Sequence, residues 1–292
     1  MGEGQLIENF TARVVQMLRA LSGSYSDAFH YFLLLLLQGC DASVVIASPN
    51  NDAEKDAPDN LSLAGDGFDT VVKAKSSRGS VPWHSIMCRH FSYCCSRRCV
   101  PAGGPAYNME LGRRDGLISQ ASRVAGNLPE PTFNLIQLNT IFAKNNLSQI
   151  DMIALSGAHT LGFSHCTRFA NRLYSFSPSN PVDPTLNPTY AQQLMQECPQ
   201  NVDPQIAINM DPVTPQTFDN VYYQNLVGGK GLFSSDQVLF TDPASQPTVM
   251  DFAQNSGDFS GAFITAMTKL GRVGVKIGNQ GEIRRDCAAF NS

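Results

Sequence analysis

Along this chain apolar residues recur at intervals of three and four, the spacing of one helical face, and almost nowhere in strict alternation. In "LSQIDMIALSGAHTLG" Ser148 stands three residues before Asp151, the signature of a capping-box start. Ile150, Ile153, Ala154, Gly157, Ala158 and Leu161 then fall on one apolar face before Gly162 loosens it, so the spacing predicts a helix that carries His159 beside that face. Similar periodic stretches cover 132–146, 187–198, 217–231 and 257–271, each bounded by Pro, Gly or Asn. The fold class is therefore mainly α. The Pro-rich connection "SPSNPVDPTLNP", 177–188, is expected to run over the surface, and no repeat of solenoid length is visible.

Composition changes this picture little. With 292 residues, 42% hydrophobic and 16% charged, the chain can bury a large core as one domain or as two closely packed lobes. A net charge of -4, a pI near 5.7 and the lack of a basic stripe argue against a nucleic-acid surface and favour small partners. The apolar run "YFLLLLLQ", 31–38, is too short to span a bilayer. "MGEGQLIENF" has no basic stretch leading into an apolar one, so no secretory signal is read there. Eight cysteines, and Asn-x-Ser/Thr sequons at Asn9, Asn60 and Asn146, point to an oxidising compartment.

Residues 76–101 break the helical pattern. They gather Cys88, Cys94, Cys95 and Cys99 with His84, His90 and the only tryptophan. Cys88, His90, Cys94 and Cys99 offer zinc-type donors, but their spacing fits no established ligand arrangement, and the group is read as a chance cluster.

His159 raises a sharper question. A satisfied core histidine is the default for an apolar helix. A metal pair with His165 fails on helical geometry, since six residues turn the chain by about 600°, a net of about 240°. A single histidine in an apolar setting suits the axial position of a haem iron.

At this point the residues resemble those of the secreted plant haem peroxidases. "DMIALSGAHTLGFSHC" is similar to that family's proximal haem motif and "QGCDASVVI" to its distal calcium loop. "AEKDAPDNLSLAGDGFDTVVKAK", "AGGPAYNMELGRRDG", "LPEPTFNL", "MDPVTPQTFDNVYY", "KGLFSSDQVLF" and "GEIRRDC" follow in the family's order, over about 39–75 and 102–292. The resemblance implies a haem peroxidase fold, with distal and proximal helical lobes and haem between them, as a single domain over 1–292. It implies haem b and calcium as cofactors, hydrogen peroxide and small phenolic donors as partners, and peroxide removal as the role. Neither nucleic acid nor membrane is an implied partner; the protein would be a monomer, secreted or vacuolar. By the same resemblance His159 is the axial iron ligand and Asp236 its carboxylate partner. Thr160, Asp211, Thr214, Thr217 and Asp219 match the proximal calcium site; capping and turn chemistry could account for those residues without an ion, but the resemblance favours calcium. Cys166 and Cys198 match a family disulfide, and Pro129 the entrance for aromatic donors.

The distal side departs from the family. Counting back from Gly39, Cys40 and Asp41 puts Phe29 at the family's arginine, Leu33 at its histidine, Leu34 at a calcium aspartate and Leu35 at a cysteine. Peroxide cleavage needs a base to move a proton and a cation to stabilise developing charge, which Phe and Leu cannot supply. His30 is the candidate substitute, three residues before the vacant position. Asn60 matches the residue that hydrogen-bonds the family's distal histidine. Gly39, Asp41, Ser43 and Glu54 remain of a distal calcium site weakened by the loss at Leu34. Cys287 has Cys88, Cys94, Cys95 and Cys99 as candidate partners. Residues 1–38 and 76–101 are read as aberrant, through a shifted reading frame or a similar defect in gene structure; abundant peptides from 76–101 in a mass spectrum would contradict this. The alternative function is a haem- and calcium-binding member impaired in catalysis by its missing distal Arg and His.

Overall fold

A computed structural model describes residues 41–61, 102–107, 110 and 113–292. The chain divides into two compact units, Pro129–Met267 and a second built from Met1–Leu128 with Thr268–Ser292. Among the described residues the architecture is mainly helical, as the periodicity predicts.

The Pro129–Met267 unit begins with α1 (Leu135–Lys144) and α2 (Gln149–Ser156). Asn134 and Gln137 form a capping box on α1, each side chain taking the other's backbone N–H at 2.9 Å. Ser148 and Asp151 do the same for α2, as the sequence predicts. The single helix expected through His159 stops early, however. After Ser156 the chain tightens into a 3-10 turn, Gly157–Thr160, and then enters strand β1 (Phe163–His165). His159 lies on that turn, so the helical geometry used to separate it from His165 does not apply. Nor is α2 buried on the expected stripe: Ile150 is 56% exposed, while Met152, Ile153, Ala154 and Leu155 are all fully buried. A helix apolar nearly all round sits inside a core.

Strand β1 pairs antiparallel with β2 (Ala207–Asn209), Ser164 opposite Ile208. Alternation over three residues is too short to announce a strand in the sequence. Between them lie α3 (Ala170–Tyr174) and α4 (Pro188–Glu197), the latter capped by Asn187 and opened by Pro188. The Cys166–Cys198 disulfide joins the end of β1 to the end of α4, and closing its 32-residue loop stabilises the unit by about 3–4 kcal/mol. Around it Phe169, Leu173, Leu186, Tyr190 and Leu194 form one apolar cluster. The 177–188 connection is largely exposed, but Asp183 turns inward to buried Arg172, which also donates to the carbonyl of Leu232. Next come α5 (Val221–Val227), α6 (Ser234–Thr241) and α7 (Gln246–Gln254), then α8 (Ser256–Leu270), which runs into the other unit. Phe259, Phe263, Ala266, Met267 and Leu270 are buried along α8 at helical spacing.

In the other unit the described residues form short 3-10 turns at Ser43–Val45, Glu54–Asp56, Pro58–Asn60, Ala121–Arg123 and Gly278–Gln280. Arg284 joins the Asp41–Ala42 segment to Asp115 and Gly116. Almost fully buried, it donates from Nη1 to the Ala42 carbonyl at 2.8 Å and from Nη2 to the Gly116 carbonyl at 2.7 Å. Its backbone N–H meets Asp115 Oδ2 at 3.0 Å, beside the bridge between Asp115 and Glu282. No helix among the described residues is long and apolar enough to cross a membrane.

Candidate functional site

The turn carrying His159 exists because Gly157 has no side chain. A Cβ there would lie 2.5 Å from both the Tyr223 hydroxyl and a Phe259 ring carbon. Tyr223 instead reaches the end of α2 and donates to the Ile153 carbonyl at 2.9 Å, satisfying a group that a helix terminus leaves open. His159, 5% exposed, is then set edge-on to the rings of Phe233 and Tyr222, with centroids 5.6 and 6.0 Å away.

Its Nδ1 stands 2.7 Å from Asp236 Oδ1. The same oxygen accepts a hydrogen bond from the Tyr222 hydroxyl at 2.9 Å, and Asp236 Oδ2 accepts from the Phe233 N–H at 3.2 Å. Asp236 sits in the first turn of α6, where the helix dipole favours a carboxylate. Burial, reinforced by the Asp236 charge, pushes the Tyr222 hydroxyl well above its usual range, so it stays a donor. With Nδ1 directed to a carboxylate, the imidazole is fixed in tautomer and orientation, which leaves Nε2 as the nitrogen that could ligate a metal. This is the donor arrangement of a histidine that holds a metal axially, and it fits a haem iron.

A second constellation follows directly in sequence. Thr160 Oγ1 lies 3.2 Å from the Thr217 carbonyl and 3.3 Å from Asp219 Oδ1. Thr214 Oγ1 lies 3.2 Å from the same Asp219 oxygen and 3.4 Å from Asp211 Oδ2. All five residues matched to the proximal calcium site are thus brought together. Asp211 Oδ1 also accepts from the Val213 and Thr214 N–H groups and Asp219 Oδ1 from that of Val221, so the turn and capping chemistry is present as well. The hydroxyl-to-carboxylate separations are longer than the 2.5–2.7 Å or so usual for hydroxyl-to-carboxylate bonds. Hard oxygens held slightly apart, with two carboxylates among them, fit a calcium ion.

Asp41, Ser43 and Glu54 also meet, in the other unit. Ser43 Oγ donates to Glu54 Oε2 at 2.6 Å, and the Ser43 N–H to Asp41 Oδ1 at 3.1 Å. Burial pushes the Glu54 carboxyl up to about 7, against the opposing pull of the Ser43 hydrogen bond. Lys276, which no local signal in the sequence marks, places its Nζ 2.5 Å from Asp41 Oδ2. Asn60 is buried with Nδ2 on the Glu54 carbonyl at 2.7 Å and, among the described residues, no partner for its Oδ1. Pro129 is half-buried. Phe29, His30, Leu33, Leu34 and Gly39, and the cysteines of 76–101, lie outside the described residues. Tyr222 was the missed member of the His159 group; its only trace in the sequence is its place in "FDNVYY".

The described residues thus form a mainly helical protein with a buried imidazole held by a buried carboxylate, next in sequence to a cluster of oxygen donors. Residues 9–255 match the sequence profile of the family described as Peroxidase, and the chain belongs to that family. It is similar to Peroxidase 51 of Arabidopsis thaliana, 62% identical over 265 residues that cover 89% of this chain and 80% of that protein. Peroxidase 73 of the same plant is 58% identical over equal shares of both chains. Peroxidase 5 of Vitis vinifera is 42% identical over 260 residues, 88% of this chain and 78% of its own.

Proposed function

We propose that the protein is a haem peroxidase that uses hydrogen peroxide to oxidise small phenolic donors, each peroxide taking two electrons and two protons in all from two donor molecules and leaving as two waters. The observation that carries this is the Tyr222–Asp236–His159 chain of hydrogen bonds in a member of the peroxidase family. His159 would hold the iron of haem b through Nε2. When bound, the haem supplies the redox chemistry. Asp236 accepts a hydrogen bond from Nδ1–H and makes the imidazole a stronger electron donor, while Phe233 and Tyr222 hold the ring in place. Thr160, Asp211, Thr214, Thr217 and Asp219 would bind one calcium ion. Because Thr160 adjoins His159, an ion there pins the turn that carries the ligand. Pro129 would line the path of the donor. The cysteine and sequon pattern supports secretion, and the exposed Asn146 suits a glycan where the buried Asn60 does not.

Titration of the full chain with haem tests the assignment. The native protein is expected to bind one haem and oxidise a phenolic donor with peroxide, whereas His159→Ala loses the axial ligand, its visible spectrum and at least a hundredfold of the turnover. Equal spectra and rates for both proteins would remove His159 from the role.

A further inference from the structure

The oxygen cluster at Asp41, Ser43 and Glu54 does not fit a calcium ion. A calcium site offers six to eight oxygens with their lone pairs turned toward the ion. Here each oxygen of Asp41 already has a donor. Oδ1 takes the Ser43 N–H at 3.1 Å and Oδ2 the Lys276 ammonium at 2.5 Å. The Asp41 carbonyl takes the Gly116 N–H at 2.8 Å and Arg284 Nη2 at 3.4 Å. Ser43 Oγ spends its proton on Glu54 rather than turning both toward a common centre. The cluster thus contains one ammonium, and a buried guanidinium on its carbonyl side, before any metal is added.

Gly116 shows how closely the pair is fitted. A Cβ on it would fall well inside van der Waals contact with the Asp41 carboxylate, so the backbone approaches as near as it can. Asp41 is 3% exposed at its side chain, and Lys276 reaches it from 235 residues further along the chain. A buried carboxylate without a compensating cation would be costly.

We infer that Lys276 takes the place of a metal at the Asp41 cluster: the protein holds this loop with an internal ammonium and binds calcium only at the Asp211–Asp219 cage. The site therefore demands neither calcium nor a further carboxylate ligand. An ion pair within the chain cannot be removed by a chelator, so this unit is predicted to keep its loop where calcium is scarce. The inference shares with the proposed function only the count of ions at the cage, and the test separates the two.

The full chain, its Asp219→Asn variant and its Lys276→Met variant are prepared in calcium, transferred to calcium-free buffer and analysed for bound calcium by mass spectrometry. Thermal unfolding is then followed in EGTA and in excess CaCl2. The native chain is expected to retain one ion and Asp219→Asn none. Lys276→Met is expected to unfold about 5 °C lower in EGTA and to regain part of that loss in calcium, as Asp41 becomes open to the ion. A native chain with no ion would overturn the part of the inference that places calcium at the cage, and a native chain with two ions would overturn the part that puts Lys276 in place of a metal. An ion retained by Asp219→Asn, or an unchanged melting temperature for Lys276→Met in EGTA, overturns it. Should Lys276→Met fail to fold, the count on Asp219→Asn still decides.

Discussion

Two oxygen clusters in this protein look alike in composition and differ in what neutralises them. At the cage, Asp211 and Asp219 sit among three threonines, and among the described residues neither carboxylate is paired with a cationic side chain. Asp211 accepts only N–H and O–H groups, including Asn225 Nδ2 at 2.9 Å. At the other cluster Asp41 meets Lys276 and Glu54 is pushed toward neutrality. Two carboxylates without a cation, Asp211 fully buried and Asp219 half-buried, ask for one from solution; one charge with an ammonium does not. Carboxylate counts alone would have assigned both clusters the same ligand. What separates them is a lysine distant in sequence.

The largest expected effect follows from Gly116. Gly116→Ala drives a methyl group into the Asp41 carboxylate and should destabilise the protein by about 3–5 kcal/mol, the range for breaking a buried ion pair, as read by chemical denaturation. A change within error would show that Asp41 is free to move, and the contrast with the cage would lose its basis.

Glu54 gives the next effect, and its sign is fixed. Its folded pKa stands at about 7 against 4.5 for the free side chain, so the folded state holds the proton more tightly than the unfolded chain. The stabilisation is whole below pH 4.5 and is lost as pH rises through 7, a difference on the order of 3 kcal/mol. Glu54→Gln should flatten that part of the stability profile. A profile that instead rises between pH 5 and 7 through this residue would mean a charged Glu54, as at a metal site.

Tyr222→Phe removes one of two hydrogen bonds to Asp236 Oδ1 and leaves the other to His159. A loss of about 1–2 kcal/mol in stability is expected. With less of its charge drawn off by the hydroxyl, Asp236 should also strengthen the imidazole as a donor and lower the reduction potential of the reconstituted iron, measured by redox titration. An unchanged potential would confine Tyr222 to packing. The smallest effect belongs to Arg272, whose ion pair with Glu110 has side chains 61% and 54% exposed. Arg272→Ala should leave the melting temperature unchanged, beside the measurable shift for Lys276→Met four residues on.

Much of this molecule could be read from residue order, and the exceptions share a cause. Ser148 with Asp151, Asn187 before Pro188 and the spacing along α8 are local signals, and each marks its helix correctly. The pairing of Cys166 with Cys198, and the meeting of His159 with Asp236, followed from matched motifs and hold in the structure. The early end of α2 did not follow, because it depends on Tyr223 and Phe259 crowding Gly157 from other helices. Lys276 on Asp41 and Tyr222 on Asp236 were illegible for the same reason: each contact joins residues with no periodic relation, and packing alone brings them together.

The central claim is that His159, oriented by Asp236, holds a haem that reacts with peroxide. Its most direct test is the absorption spectrum of the haem-reconstituted full chain before and after hydrogen peroxide is added. The account predicts a Soret band that shifts within seconds of peroxide addition and returns when a phenolic donor follows. A bound haem whose spectrum does not respond to peroxide, or no Soret band at all, would contradict it.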